Sequence, residues 1–379
     1  MSIDIFIIIS FLLITLTVGI YKGQNVRSIN EFALGNRNFS TTALVCTVVA
    51  TWYGGDDFYI FVSEAYDNGL YFIWSYLFGT LLVMLITGMY FIPRMGEFLG
   101  TLSIADAMGR LYGNDVKRIS AIAACIGMAG SVAGQFKVAG SLFEYTFGLS
   151  SLYGIILGAS IVTIYSAFGG IKSVTFTDVI QFFMFGAIVP TLAFFIFGTL
   201  ENVDSVVNTL STNDNFNVKK GFNFSDGRAF YYLFLFFYMM IPGFDPTLFQ
   251  RISMSRDTFQ ARKVFILSGL VFFVLDLTLY WMGVMSLSIY PSADSEEVVK
   301  YIIMDYSYAG LKGLTIAGVL AMLMSTADSF INTASVLFTH DFCGSFSYLK
   351  LSDKSKLIIS RFSALAIGVF ATFLALFSN

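Results

Sequence analysis

Long apolar runs separated by short polar or charged segments set the pattern of this chain. Runs of membrane-spanning character cover 3–21, 41–63, 70–92, 119–147, 152–168, 174–200, 230–244, 264–290, 311–338 and 357–377, and predict about ten helices crossing a bilayer. Two of these runs are punctuated in the middle. The second contains Gly54-Gly55-Asp56-Asp57, and the run from Phe230 meets Pro242-Gly243, followed by Asp245-Pro246. Proline removes a backbone donor and glycine relaxes the helix, so both segments are expected to unwind and free carbonyl oxygens at mid-membrane.

Five spans separate the two breaks, which reverses the direction of the helix. Paired interrupted helices of opposite direction are the pattern of an inverted-repeat secondary transporter with its binding site between the breaks. The run 311–338 carries the densest polar chemistry. Ser325, Asp328, Ser329 and Asn332 fall at i, i+3, i+4 and i+7, one polar stripe on a helix. A carboxylate at the centre of a spanning helix costs roughly 2.5–3.5 kcal/mol on insertion scales, so Asp328 is expected to face protein or a watery cavity and to meet a cation.

Composition confirms the class. Of 379 residues, 42 are Phe and 12% are charged, which excludes a soluble enzyme and makes membrane lipid a partner. Three cysteines form no CxxC pair, and the single histidine, His340, excludes His-based triads and multi-histidine metal sites. No P-loop is present, so neither ATP nor nucleic acid is an expected partner. Nothing in the pattern specifies an oligomer.

Charge then orients the chain. With the N-terminus outside, sixteen of the 22 Lys and Arg residues fall in inner segments, Arg251, Arg256 and Lys350 among them, and Lys137 lies inside a span. The first run has Asp4 at its front and Lys22 and Arg27 after it, the reverse of a secretory signal, and reads as a retained helix. A multi-pass protein of the cell inner (plasma) membrane is expected. The polar segments 201–227 and 292–305 fall outside and read as solvated.

Asp56, Asp57 and Lys137 read equally as a structural ion pair or as a site for a polar or charged solute. Asp178, at the start of a span, reads either as a helix-start carboxylate or as part of an ion site. Asp276 is a buried acid with no partner evident in the sequence.

The segments ATWYGGDDF, GGIKSVTFTDVIQ, FDPTLFQR and STADSFINTASVLFTHD, in this order, resemble the sodium/solute symporter family, whose members carry glucose, proline, pantothenate or sialic acid with sodium. The resemblance implies an all-α, leucine-transporter-like fold of inverted five-helix repeats behind one extra N-terminal helix. In a single domain, 1–379, residues 1–40 would be that helix and an inner loop, 41–200 the first repeat, 201–229 an outer loop, and 230–379 a second repeat shortened by its last helix. It implies a common sodium site from the backbone of Ala50, Tyr53 and Met322 and the hydroxyls of Ser325 and Thr326. A second site, for sodium or a proton, would fall on Asp178, Ser325, Asp328 and Ser329. The solute would lie near Thr51, Gly55, Asp57, Phe58, Tyr76, Lys137, Tyr238, Ile241 and Asp245. Lys137 matches an arginine that binds a carboxylate in similar sialic acid transporters, so a carboxylate-bearing solute is expected. Sodium is the co-transported ion, and the alternative is a non-transporting sensor or inactive carrier on the same fold.

Overall fold

The computed structural model describes residues 3–200, 203–243, 245–305, 308–346, 349 and 351–377; Lys350 lies outside them. All the regular structure in the described residues is helical. The elements that build the bundle are α1 (Ile3–Gly23), α2 (Thr41–Trp52), α3 (Gly55–Asn68), α4 (Leu70–Arg94), α5 (Asn114–Phe147), α6 (Ser151–Thr199), α7 (Gly227–Met240), α8 (Pro246–Ser253), α9 (Thr258–Ile289), α10 (Leu311–Ser345) and α11 (Asp353–Phe377). Among the described residues seven helices are long and apolar enough to cross a membrane, namely α1, α4, α5, α6, α9, α10 and α11.

Two predicted spans, 152–168 and 174–200, follow one another as the two halves of α6. Its 49 residues would reach about 74 Å as a straight helix, more than twice the hydrocarbon thickness. The helix breaks at Gly170, where φ is 56° and ψ −165°. A Cβ at Gly170 would sit 2.6 Å from the Phe32 ring, so both the left-handed backbone and the close packing require glycine. Both predicted interruptions are present: α2 gives way to α3 around Gly54, and α7 to α8 around Pro242-Gly243.

Helix α10 is the centre of the bundle. Its most apolar stretch is 89% buried, against 22% for α1 and 33% for α11, which face outward. Small residues allow that crowding; at Gly318 and Gly313 a Cβ would come within 2.3 Å of Ile188 and 2.6 Å of the Asp4 backbone.

The two ends of the bundle are chemically distinct. At one end Lys172 pairs with Glu31 at 2.7 Å, Arg37 donates to the carbonyls of Ser255 and Arg256, and Lys117 meets Asp106 at 2.6 Å and Asp341 at 3.2 Å. The Lys172 ammonium holds the Glu31 carboxyl below its usual range. Partial burial would raise Asp106, but Lys117 outweighs it and leaves that carboxyl low as well. At the other end Asp4 accepts from the backbone of Gly310 and Gly313, the Tyr66 hydroxyl donates to the Tyr290 carbonyl, and Arg228 bonds Asn68 and Asn215. The segments expected to be solvated loops there contain helices at Val203–Thr212 and Ser295–Asp305, the second burying Val298, Val299, Ile302 and Ile303.

One sequence expectation is corrected at this level. Arg251 was counted with the inner loops, yet it lies in α8 with no solvent exposure. The run from Phe230 does not stop near residue 244; after the break it continues as a buried half-helix.

Candidate ion and solute sites

The first break exposes backbone oxygen by a local exchange of partners. In a continuous helix the carbonyls of Ala50 and Thr51 would accept from the N–H groups of Gly54 and Gly55. Instead Gly54 N–H donates to Asp57 Oδ2 at 2.8 Å, and Gly55 N–H donates to Gln135 Oε1 at 2.9 Å. Tyr53 leaves the helical region (φ −103°, ψ 85°) and Gly54 is extended. The Ala50 and Thr51 carbonyls therefore have no helical donor. A Cβ on Gly55 would lie 2.9 Å from the Leu323 side chain, so glycine also brings α10 close.

Helix α10 answers with hydroxyls. Ser325 Oγ lies 2.7 Å from the freed Ala50 carbonyl and 2.8 Å from that of Met322. Its neighbour Thr326 is 5% exposed, and its hydroxyl has no hydrogen-bond partner among the described residues. Of the five residues expected at the common sodium site, Ala50, Met322 and Ser325 meet directly, Tyr53 is at the break, and Thr326 lines the same cavity as Tyr53. A hard cation favours such a set of neutral oxygens, and the orphaned Thr326 hydroxyl is a donor atom that the fold itself does not use.

Among the residues of the second expected group stands the Arg251 guanidinium. Ser325 is engaged with Ala50, whereas Ser329 Oγ takes a 2.5 Å hydrogen bond from Arg251 Nη2 and lies 3.0 Å from Thr51 Oγ1. The same guanidinium donates to Thr51 Oγ1 and Gln250 Oε1, both at 2.8 Å, and lies 3.7 Å from Asp178 Oδ2. Asp178 also accepts from the Thr47 hydroxyl. Asp328 accepts from Tyr165 at 2.7 Å and from Thr177 at 3.4 Å. The cation that Asp328 and Asp178 were expected to meet is supplied in part by the protein.

A cavity of about 600 Å³ opens beside both breaks. Of the residues expected to touch solute, Thr51, Asp57, Tyr76, Tyr238 and Ile241 line it. Gly55 and Phe58 are buried off its wall, the first held by Gln135 and the second 1% exposed. Asp245 caps α8, accepting from the backbone of Thr247 and Leu248 at 2.8 and 3.1 Å and from the Thr247 hydroxyl. Lys137 lies elsewhere on α5, in a separate depression with Ser141, Ser151, Ile155 and Ala375, and pairs with neither Asp56 nor Asp57. The expected carboxylate partner is therefore not at the cavity.

Three residues that matter here were not assigned in the sequence. Gln135 bridges the break, donating to Asp56 at 2.7 Å while accepting from Gly55. Arg251 stood in view within FDPTLFQR but was read as a loop charge. Asp276 stood out as a buried acid, and the structure puts it on the cavity wall.

The arrangement is that of a membrane carrier, in which an oxygen-lined break on one side of a chamber adjoins an acidic and aromatic chamber wall. The chain belongs to the Sodium:solute symporter family, which it matches over residues 32–379. It is similar to the high-affinity choline transporter 1 of Drosophila melanogaster, 24% identical over 97% of this chain and 61% of that protein. It is also similar to the osmoregulated proline transporter OpuE of Bacillus subtilis, 25% identical over the whole of this chain and 79% of that one. The chain thus spans under two thirds of the fly protein's length. Its fold matches a solved structure described as the substrate-bound outward-open state of a Na+-coupled sialic acid symporter, with a TM-score of 0.91, 18% identity, and coverage of 99% of this chain and 81% of that one.

Proposed function

We propose that this protein is a sodium-coupled symporter of a small organic solute. The observation that carries the reading is the Ser325 hydroxyl reaching from α10 to the released Ala50 carbonyl, beside a buried Thr326 hydroxyl that no group among the described residues uses. Sodium would take the backbone oxygens of Ala50, Tyr53 and Met322 with the hydroxyls of Ser325 and Thr326. Those ligands come from both α10 and the first break, so a bound ion ties the two together. Linkage then requires that sodium raise solute affinity by the factor by which solute raises sodium affinity.

The solute occupies the 600 Å³ chamber, touching Asp57, Tyr76, Tyr238 and Ile241. Arg251 fills part of the second cation position, which favours a single sodium ion per cycle. Counting each half of α6 and each broken pair as crossings gives ten spans arranged as inverted repeats, alternating access moving one repeat against the other. The end rich in Lys and Arg is cytoplasmic by the positive-inside rule, which leaves the N-terminus outside the plasma membrane.

Relatives bearing functional names are transporters, which favours flux over a sensing role. Full-length protein in proteoliposomes should accumulate solute in response to an inward sodium gradient. Uptake indifferent to sodium would defeat the reading.

A further inference from the structure

The acid and base side chains that line the chamber are all acids. Asp56, Asp57 and Asp276 line it, and no Lys or Arg among the described residues does. The first two acids have internal work, Asp56 accepting from Gln135 and Asp57 from the Gly54 backbone. Asp276 is 1% exposed, and neither of its carboxylate oxygens meets a well-aligned donor among the described residues; the Tyr53 hydroxyl, its nearest polar neighbour, leaves most of its acceptor capacity free, and Tyr280 lies beside it. A buried acceptor left unmade costs roughly 1–3 kcal/mol, more for an ion, so such a group on a ligand chamber marks where a ligand donor belongs.

The rest of the wall agrees in kind. Tyr53 stacks on Phe272 and Phe185, with centroids 6.0 and 5.7 Å apart, and Phe61 packs on Tyr76 at 4.9 Å. Ring faces attract cations that are withdrawn from water, while the carboxylates repel anions. Acceptors without donors further select among cations. A quaternary ammonium ion has no N–H and would leave Asp276 as it is, whereas a primary or secondary ammonium satisfies it. Sites built to hydrogen-bond a ligand reject analogues that lack the donor.

We infer that the transported solute is a small ammonium cation bearing N–H groups, with Asp276 as its principal acceptor. This rests on the chamber being the solute site of a sodium symporter. The test is thermal shift on the purified full chain with ethanolamine, putrescine, choline, pyruvate and glucose, each with and without sodium, repeated on Asp276→Asn. Ethanolamine or putrescine should stabilise the native chain, with choline at least tenfold weaker and pyruvate and glucose inert. Asp276→Asn should lose the amine response and keep the response to sodium alone.

A panel in which no amine stabilises, one in which choline equals ethanolamine, or an Asp276→Asn chain that binds amine as the native does would each overturn the inference. Amine stabilisation that is identical without sodium would keep the amine assignment and remove the symport reading. Sodium-dependent stabilisation by pyruvate or glucose would do the reverse. The panel on the native chain decides the matter even where the variant does not fold.

Discussion

Thr326 separates a role in ion binding from a role in folding, because its hydroxyl makes no hydrogen bond among the described residues although it is buried. Thr326→Val keeps the side-chain volume and exchanges an orphaned hydroxyl for a methyl group. Replacing an unsatisfied buried polar group with an apolar one of the same shape is neutral or stabilising, so the ion-free protein should unfold at the native temperature or slightly above it. The proposed sodium ion, however, would lose one of its five oxygens. A polar contact to a charged partner contributes about 1.5–3 kcal/mol, which at about 1.4 kcal/mol per decade is roughly a 10- to 150-fold rise in the sodium half-saturation constant.

Ser325→Ala provides the contrast. That substitution also breaks the contact with the Ala50 carbonyl, so about 1 kcal/mol of stability should go with the sodium affinity. Both quantities come from one experiment, thermal unfolding of purified protein across a sodium titration, since a ligand of the native state raises its melting temperature with occupancy. Thr326→Ser should restore the sodium response. A Thr326→Val chain with unchanged sodium dependence and lowered ion-free stability would make Thr326 a packing residue and refute the placement of the ion.

Other expectations are independent of that site. Arg251→Met should destabilise the protein by about 3–5 kcal/mol, because Asp178 would be left buried without its counter-ion, and Arg251→Met with Asp178→Asn should recover part of the loss; melting temperatures of the single and double variants report it. Lys137→Ala should leave the solute half-saturation constant within about twofold of native, since its ammonium lies off the chamber; a tenfold rise in an uptake assay would return Lys137 to the solute site. Glu31 and Asp106 are carboxylates held below their ordinary range, so their contribution is complete above the unfolded value and is lost as pH falls through the lower folded one. Acid unfolding of the native chain should begin at this end of the bundle, and Lys172→Ala should move its onset to higher pH.

The spans and their two interruptions were legible in the sequence because they depend on local chemistry. Apolar length sets a spanning helix, and Gly54-Gly55 and Pro242-Gly243 act on the backbone where they stand. The polar stripe of Ser325, Asp328, Ser329 and Asn332 was legible too, since its spacing is that of one helix face. The limits of helices were less so. The break at Gly170 falls between the runs 152–168 and 174–200, as the apolar pattern divided them, but α8 was hidden because its Gln250 and Arg251 look like loop residues.

Which way a side chain points was decided by tertiary structure alone. In a soluble helix the contrast between polar and apolar faces tells inside from outside, but a spanning helix is apolar toward lipid and toward protein alike, so periodicity carries little of that information. Lys137 and Gln135 are two residues apart on α5, yet Gln135 closes the first break while Lys137 faces a different groove. The chain itself determined that Arg251, Asp178 and Asp276 would be present near polar helices. Only packing decided that Arg251 would lie against Asp178 and that Asp276 would line the chamber, because both outcomes depend on contacts between residues tens to hundreds of positions apart.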